Sequence, residues 1–129
     1  MELKRGQINT IRAKSLFKSS EQAIKSASNM PLNEDNLKSI IRELYEGLRQ
    51  FCEAIGFIKG YKFSSHEQVT IFIKDVLKEN SLSMKFDNYR LLRNGINYYG
   101  DDVHLETVKE ALIEIPLMIK TLDKHVATS

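Results

Sequence analysis

The chain of 129 residues is long enough for one domain with one core, and we expect residues 1–129 to form a single domain. Its 19 basic and 17 acidic side chains exclude a polycation, so bulk charge does not indicate nucleic acid. One cysteine, Cys52, excludes an internal disulfide and is expected to be buried. The start of the chain shows no secretory signal, and no apolar run approaches the roughly 18 residues of a membrane span. We therefore expect a cytoplasmic protein without membrane contact.

Charge is distributed unevenly along the chain. Residues 1–25 hold six Lys/Arg and two Glu, whereas residues 101–115 hold one Lys and five Asp/Glu. Such polarity can orient a partner or a second copy, and it is also typical of solvated helix faces.

Apolar residues recurring at helical spacing predict two long helices in the first half. The first is expected over residues 4–28, with an apolar stripe formed by Ile8, Ile11, Leu16, Phe17, Ala23, Ile24 and Ala27. The second is expected to begin after Asn33 as N-cap and to end at Ile58, before Gly60. Its buried face consists of Leu37, Ile40, Ile41, Leu44, Leu48, Phe51, Cys52 and Ile55.

Three further helices are predicted. Ser64 and Glu67 resemble a capping box for helix three, which is expected to break at residues 80–83. Helix four is expected over 84–99 and helix five over 105–126, with a kink at Pro116. No segment alternates at period two, so no sheet is predicted. The expected fold is an all-α, up-and-down antiparallel bundle of about five helices.

Helix four has two distinct faces. Tyr89, Leu92, Ile96 and Tyr99 share a narrow arc that is suited to a core. Arg90, Arg93, Asn94 and Asn97 share a second arc, well separated from the first. Guanidinium and amide groups on one face can bind an anion, although a polar helix face is also often simply solvated.

The segment Arg93-Asn94-Gly95-Ile96-Asn97-Tyr98-Tyr99-Gly100 resembles the signature of HEPN domains, which are small helical bundles. That signature is an Arg, often followed by Asn, with a His four to six residues later; Tyr98 stands where the His is expected. Residues 86–90 and 60–66 also resemble the family.

The resemblance implies a homodimer that binds RNA or a nucleotide and acts as a metal-independent ribonuclease at a cleft between protomers. Arg93 and Tyr98 would then be the catalytic pair, with Arg93 holding the phosphate. The binding residues would be Arg90, Arg93, Asn94 and Asn97. A phenol is a weak base at neutral pH, so Tyr98 would donate a hydrogen bond or stack on a base.

The resemblance also supports an alternative, in which the protein is a non-enzymatic partner of a minimal nucleotidyltransferase. In such pairs a tyrosine near the motif receives nucleotides, and Tyr98 and Tyr99 are the candidates here.

Other candidate groups are weaker. The spacing of Cys and His suits no metal, and no glycine loop suits a cofactor, so neither is expected. His66, His104 and His125 are expected to be structural. Glu43, Glu46 and Arg49 of helix two either orient the motif arginine or form ion pairs along their own helix.

Overall fold

The computed structural model describes residues 2–126, and it is an all-α bundle, as the periodicity predicts. The five helices of this range are α1 Thr10–Asn29, α2 Leu37–Ile58, α3 His66–Asp75, α4 Asn80–Tyr99 and α5 Leu105–Leu122. Two 3₁₀ turns, Glu34–Asn36 and Asp123–His125, precede α2 and follow α5. No helix among the described residues combines the length and apolarity that crossing a bilayer requires.

Helix α2 is the centre of the bundle, because α1, α3, α4 and α5 all pack against it. Its predicted apolar face is confirmed: Phe51 is partly exposed and every other member is buried. Cys52 is fully buried among these residues, and burial raises the pKa of its thiol far above the usual range. Asn33 precedes the 3₁₀ turn rather than α2 itself, and its side chain makes no capping hydrogen bond.

The N-terminal residues correct two predictions. Strand β1, Lys4–Arg5, pairs antiparallel with strand β2, Tyr61–Lys62, so the helix does not begin at residue 4 and a small sheet exists. Gly60 adopts φ +82°, a left-handed conformation that favours glycine, and its carbonyl accepts from Gly6 N at 2.8 Å. Two-residue strands are too short to give a period-two pattern, which is why the sequence did not predict them.

The start of α1 is fixed by Asn9, whose side chain accepts a hydrogen bond from Arg12 N at 3.0 Å. Ile8 lies before this cap and Ile11 lies on the outer face of the first turn, and both are well exposed. The prediction that they belong to the buried stripe was therefore wrong.

The ends of α3 differ from the predicted positions. Its N-cap is Ser65 rather than Ser64, and the Ser65 hydroxyl accepts from Gln68 N. The break after α3 lies at residues 76–79, where Lys78 has φ 59°. Asn80–Ser83, predicted as the break, is instead the first turn of α4, and there Ser83 Oγ donates to Asn80 O at 2.8 Å.

The apolar seam of α4 is confirmed in its first part and wrong at its end. Tyr89 and Ile96 are buried and Leu92 is partly buried, but Tyr99 is 81% exposed. The last turn of α4 extends beyond the core before the helix ends at the left-handed Gly100. This turn carries Asn97 and Tyr98, whereas Arg93 and Asn94 lie one turn earlier in the helix.

Candidate anion-binding site

An open groove of about 300 Å³ lies where the start of α3 meets the second half of α4. We call it the Arg93 groove, and its lining residues are Ser65, His66, Glu67, Arg90, Arg93, Asn94 and Tyr98. Four of the five predicted site residues are thus brought together. The fifth, Asn97, does not line the groove; its Oδ1 accepts a hydrogen bond from Arg42 Nε at 2.7 Å.

The closest polar contact in the groove joins Arg93 to His66, with Nη2 2.5 Å from Nδ1. A guanidinium only donates hydrogen bonds, so Nδ1 must be the acceptor and the ring proton must be on Nε2. Burial, together with the positive charges of Arg49 and Arg93, lowers the pKa of His66 to about 4. At neutral pH the imidazole is therefore uncharged.

Tyr45 of α2 lies behind this contact. Its hydroxyl is 2.9 Å from the same Nδ1 atom, and the Arg93 guanidinium carbon lies 5.0 Å from the centre of its ring. Burial raises the pKa of the Tyr45 phenol to about 12, so it stays protonated. Tyr45 and His66 thus provide Arg93 with an aromatic surface and a nitrogen acceptor, both uncharged.

The two arginines of the groove are held differently. Arg90 Nε donates to Asp87 Oδ1 at 2.8 Å, and the same oxygen accepts from Thr70 Oγ1 at 3.0 Å. Within residues 2–126, no carboxylate forms an ion pair with Arg93. Arg93 is therefore the cation that can exchange its present neutral partner for an incoming anion with little electrostatic loss.

The acidic residues of α2 do not orient Arg93. Arg49 forms ion pairs with Glu46 and Glu53 along the helix, which is one of the two alternatives left open by the sequence. Arg49 still acts on the site at a distance, because its charge contributes to the lowered pKa of His66.

The tyrosines at the end of α4 are open to solvent. Tyr98 lines the Arg93 groove with 70% of its surface exposed, and Tyr99 is more exposed still. Tyr98 thus lies close enough to contact a ligand in the groove, while its ring contributes little to the core.

His66 was not predicted from the sequence as a residue of the site. It precedes Arg93 by 27 residues, and only the packing of α3 on α4 brings the two side chains together. The one sequence signal was the resemblance of residues 60–66 to the same family as the motif. His104 and His125 lie outside the groove, and His125 Nε2 is 2.7 Å from Glu79 Oε2.

A comparison of the chain with models of protein families, with curated proteins and with solved structures finds no match. Among residues 2–126, no group of three or more His, Cys, Asp or Glu is arranged to hold a metal ion. The interpretation of the groove therefore depends on its own geometry and on the resemblance of its motif.

Proposed function

We propose that this protein is an RNA- or nucleotide-binding protein of the HEPN type that binds a phosphate in the Arg93 groove and cleaves RNA weakly. The observation that carries the proposal is the contact between Arg93 and His66 in an open groove. The HEPN motif pairs Arg with His on one helix. Here the imidazole comes from α3, so the residue replaced by Tyr98 is supplied from elsewhere in the fold.

The proposed binding step begins with an exchange of partners. A phosphate entering the groove draws the Arg93 guanidinium away from His66 Nδ1, because a charged acceptor forms the stronger hydrogen bond. Nδ1 then loses its guanidinium donor, and it can accept a new proton once the Tyr45 hydroxyl, 2.9 Å away, turns aside. Burial is the main reason that the pKa of His66 is low, and the negative charge offsets the next two causes, the fields of Arg49 and Arg93, so this pKa rises.

The proposed cleavage step uses the released nitrogen as a base. His66 Nδ1 accepts the proton of the ribose 2′-hydroxyl, and the oxygen attacks the neighbouring phosphorus. The O2′–P bond forms and the P–O5′ bond breaks. The leaving O5′ takes a proton from solvent, and the products are a 2′,3′-cyclic phosphate and a 5′-hydroxyl. Arg93 stabilises the charge that develops on the phosphoryl oxygens.

The remaining residues of the groove have supporting roles in this proposal. The Asn94 amide offers a donor to the phosphate or a base edge. Tyr98 provides an exposed ring on which a base stacks. Arg90, held in place by Asp87, offers its remaining N–H donors to the phosphate. Asn97, which accepts from Arg42, is left out of direct binding.

We also propose that the protein works as a homodimer, in which two Arg93 grooves form one cleft. Four large apolar side chains of α4 and α5 are more than half exposed and are candidates for the contact: Met84, Leu91, Ile113 and Leu117. Sedimentation equilibrium of the wild type and of Ile113→Glu/Leu117→Glu tests this, since a dimer through α5 would dissociate in the variant.

The function is tested by cleavage of labelled single-stranded RNA in EDTA. We expect the wild type to give 5′-hydroxyl products and Arg93→Ala to be slower by about 10²–10³-fold, the usual cost of removing one donor to a developing charge. Arg42→Ala, which removes an exposed arginine that contacts α4 outside the groove, is the matched control. No cleavage by the wild type, together with Arg93-independent RNA retention, would reject the proposal.

The alternative is a non-enzymatic partner of a minimal nucleotidyltransferase. The observation that favours it is the exposure of Tyr98 and Tyr99, whose hydroxyls are open to a transferring enzyme. Intact-mass spectrometry of the protein isolated with the product of its neighbouring gene discriminates between the two functions. Addition of nucleotide to wild type but not to Tyr98→Phe/Tyr99→Phe, without RNA cleavage, would support the alternative.

A further inference from the structure

A second basic groove lies on the side of the molecule where the β1–β2 strand pair meets the start of α1 and the end of α2. We call it the strand-pair groove; it has a volume of about 760 Å³, and its lining residues are Arg5, Gly6, Gln7, Ile8, Asn9, Arg12, Phe57, Lys62 and Phe63. Three of them are cations and none is acidic. Within residues 2–126, no carboxylate forms an ion pair with Arg5, Arg12 or Lys62. The groove is therefore a concentration of uncompensated positive charge in a chain of almost balanced composition.

The two arginines are held in place by aromatic rings. The Arg5 guanidinium carbon lies 4.1 Å from the centre of the Tyr61 ring, and that of Arg12 lies 4.9 Å from the centre of the Phe57 ring. A ring covers one face of the guanidinium and leaves the N–H donors at its edge available. Both arginines are thus positioned for an anion before one arrives.

The backbone beside the strand pair is hydrogen-bonded to the end of α2. Gly6 N donates to Gly60 O at 2.8 Å, and Asn9 N donates to Phe57 O at 3.0 Å. The stem of Lys62 lies directly over Gly6, where an added Cβ would come within 2.7 Å of it. The glycine therefore allows the lysine to lie across the strand, beside the two arginines.

We propose that the strand-pair groove binds the phosphodiester backbone of single-stranded RNA, as a continuation of the Arg93 groove. Lys62 and His66 are four residues apart, so their Cα atoms are separated by about 14 Å at most. A short RNA strand is long enough to span this distance. Arginine planes accept stacked bases, and the exposed side chain of Ile8 offers an apolar surface for a sugar or base. The choice of RNA as the ligand rests on the proposed function, whereas the charge and shape of the groove do not.

The grooved shape favours a nucleic-acid strand over two other anionic ligands. A bilayer is flat on this scale and does not enter a groove. An acidic peptide carries its charges on flexible side chains and gains less from arginines fixed in advance than a backbone with a phosphate at every unit. Vesicles and an acidic peptide are therefore used as competing probes.

The test is the affinity of a labelled twelve-nucleotide RNA as a function of salt, by fluorescence anisotropy. Arg5→Ala/Arg12→Ala/Lys62→Ala is compared with a charge-matched control, Lys14→Ala/Lys18→Ala/Lys25→Ala, which removes three exposed cations of α1 outside the groove. We expect the groove variant to bind at least about tenfold more weakly and to flatten the slope of log K against log salt by about 2, or 0.7 per lost contact. If circular dichroism shows that the triple variant does not fold, the single variant Lys62→Glu, at an exposed position, replaces it.

The outcomes separate this inference from the proposed function. Equal losses in the groove and control variants would overturn the inference, as would unchanged RNA affinity with lost binding to phosphatidylglycerol vesicles or polyglutamate. A loss of RNA affinity in the groove variant, with no effect of Arg93→Ala, would support RNA binding by the strand-pair groove and reject RNA binding by the Arg93 groove. A wild type that binds no RNA would overturn both.

Discussion

In the Arg93 groove a guanidinium contacts a ring nitrogen, whereas in the strand-pair groove two guanidiniums lie on aromatic rings and no histidine lines the groove. His66 responds to the charge state of its neighbour, but arginine and lysine stay charged at every physiological pH. The first groove is therefore suited to proton transfer and to a change of partner. The second is suited to holding a polyanion at a fixed potential. Three experiments sharpen this comparison.

The largest expected effect concerns the acid–base group. His66→Ala should lower the rate of RNA cleavage by about 10²-fold or more, since positioned proton transfer usually contributes that much. Tyr98→Phe should change the rate by less than about threefold, because it keeps the ring that stacks and removes only a weakly basic oxygen. Cleavage rates in EDTA for both variants decide the matter. A large loss in Tyr98→Phe with little effect of His66→Ala would return the catalytic role to the tyrosine.

A backbone change should act mainly on the strand-pair groove, because it strains the connection between α2 and β2. Gly60→Ala places a side chain at φ +82° and within 3.1 Å of Gly6 O, so we expect about 2 kcal/mol of destabilisation and weaker binding of long RNA. Gly100→Ala is the control: its φ is +67°, but the added Cβ meets nothing within 4 Å, and about 1 kcal/mol is expected. Urea unfolding gives both values. Equal losses of unfolding free energy at the two glycines would contradict the close packing of Gly60 against Gly6.

The smallest effect is a pH dependence of stability. The folded-state pKa of His66 is about 4, below the unfolded value of 6.5, so the unfolded chain binds more protons between these values. Stability contributed by His66 is complete above pH 6.5 and is lost as the pH falls towards 4. Allowing for the partial exposure of the ring, we expect about 1 kcal/mol.

His66→Gln should remove this part of the pH dependence. Urea unfolding at several pH values, with the variant subtracted from the wild type, isolates it from other titrating groups such as Glu79, whose pKa is lowered by hydrogen bonds from Lys124 and His125. Identical slopes in wild type and variant would show that the imidazole is not held neutral by its surroundings.

How well the sequence predicted each element depended on whether the element is defined by local pattern. Helix α2 was predicted with its correct end at Ile58, because an unbroken apolar stripe and a following glycine are both local signals. The break before α4 was placed a few residues late, since Asn80 and Ser83 are residues typical of breaks. In the fold, Ser83 Oγ bonds to Asn80 O within the helical turn.

The site was predicted only where one helix carries it. Arg90, Arg93 and Asn94 follow from the period of α4 and Tyr98 from the resemblance of the motif, and all four line one groove. His66 reaches Arg93 from α3, and no pattern along the chain gives the distance between atoms on different helices. The strand-pair groove was missed for the same reason, because it needs residues near 5 and near 62 to meet.

The attachment of strand β1 also has a consequence for motion. The strand is tied down by a two-residue strand pairing and by the amides of Gly6 and Asn9, and most of its side chains are already in water. Releasing β1 exposes the partly buried Leu3 and leaves Tyr61 and Phe63 packed on the core, so β1 opens at a smaller free energy than the bundle unfolds. These two amides should therefore exchange their hydrogens before those of α2. A ligand in the strand-pair groove would slow that exchange without contacting the core.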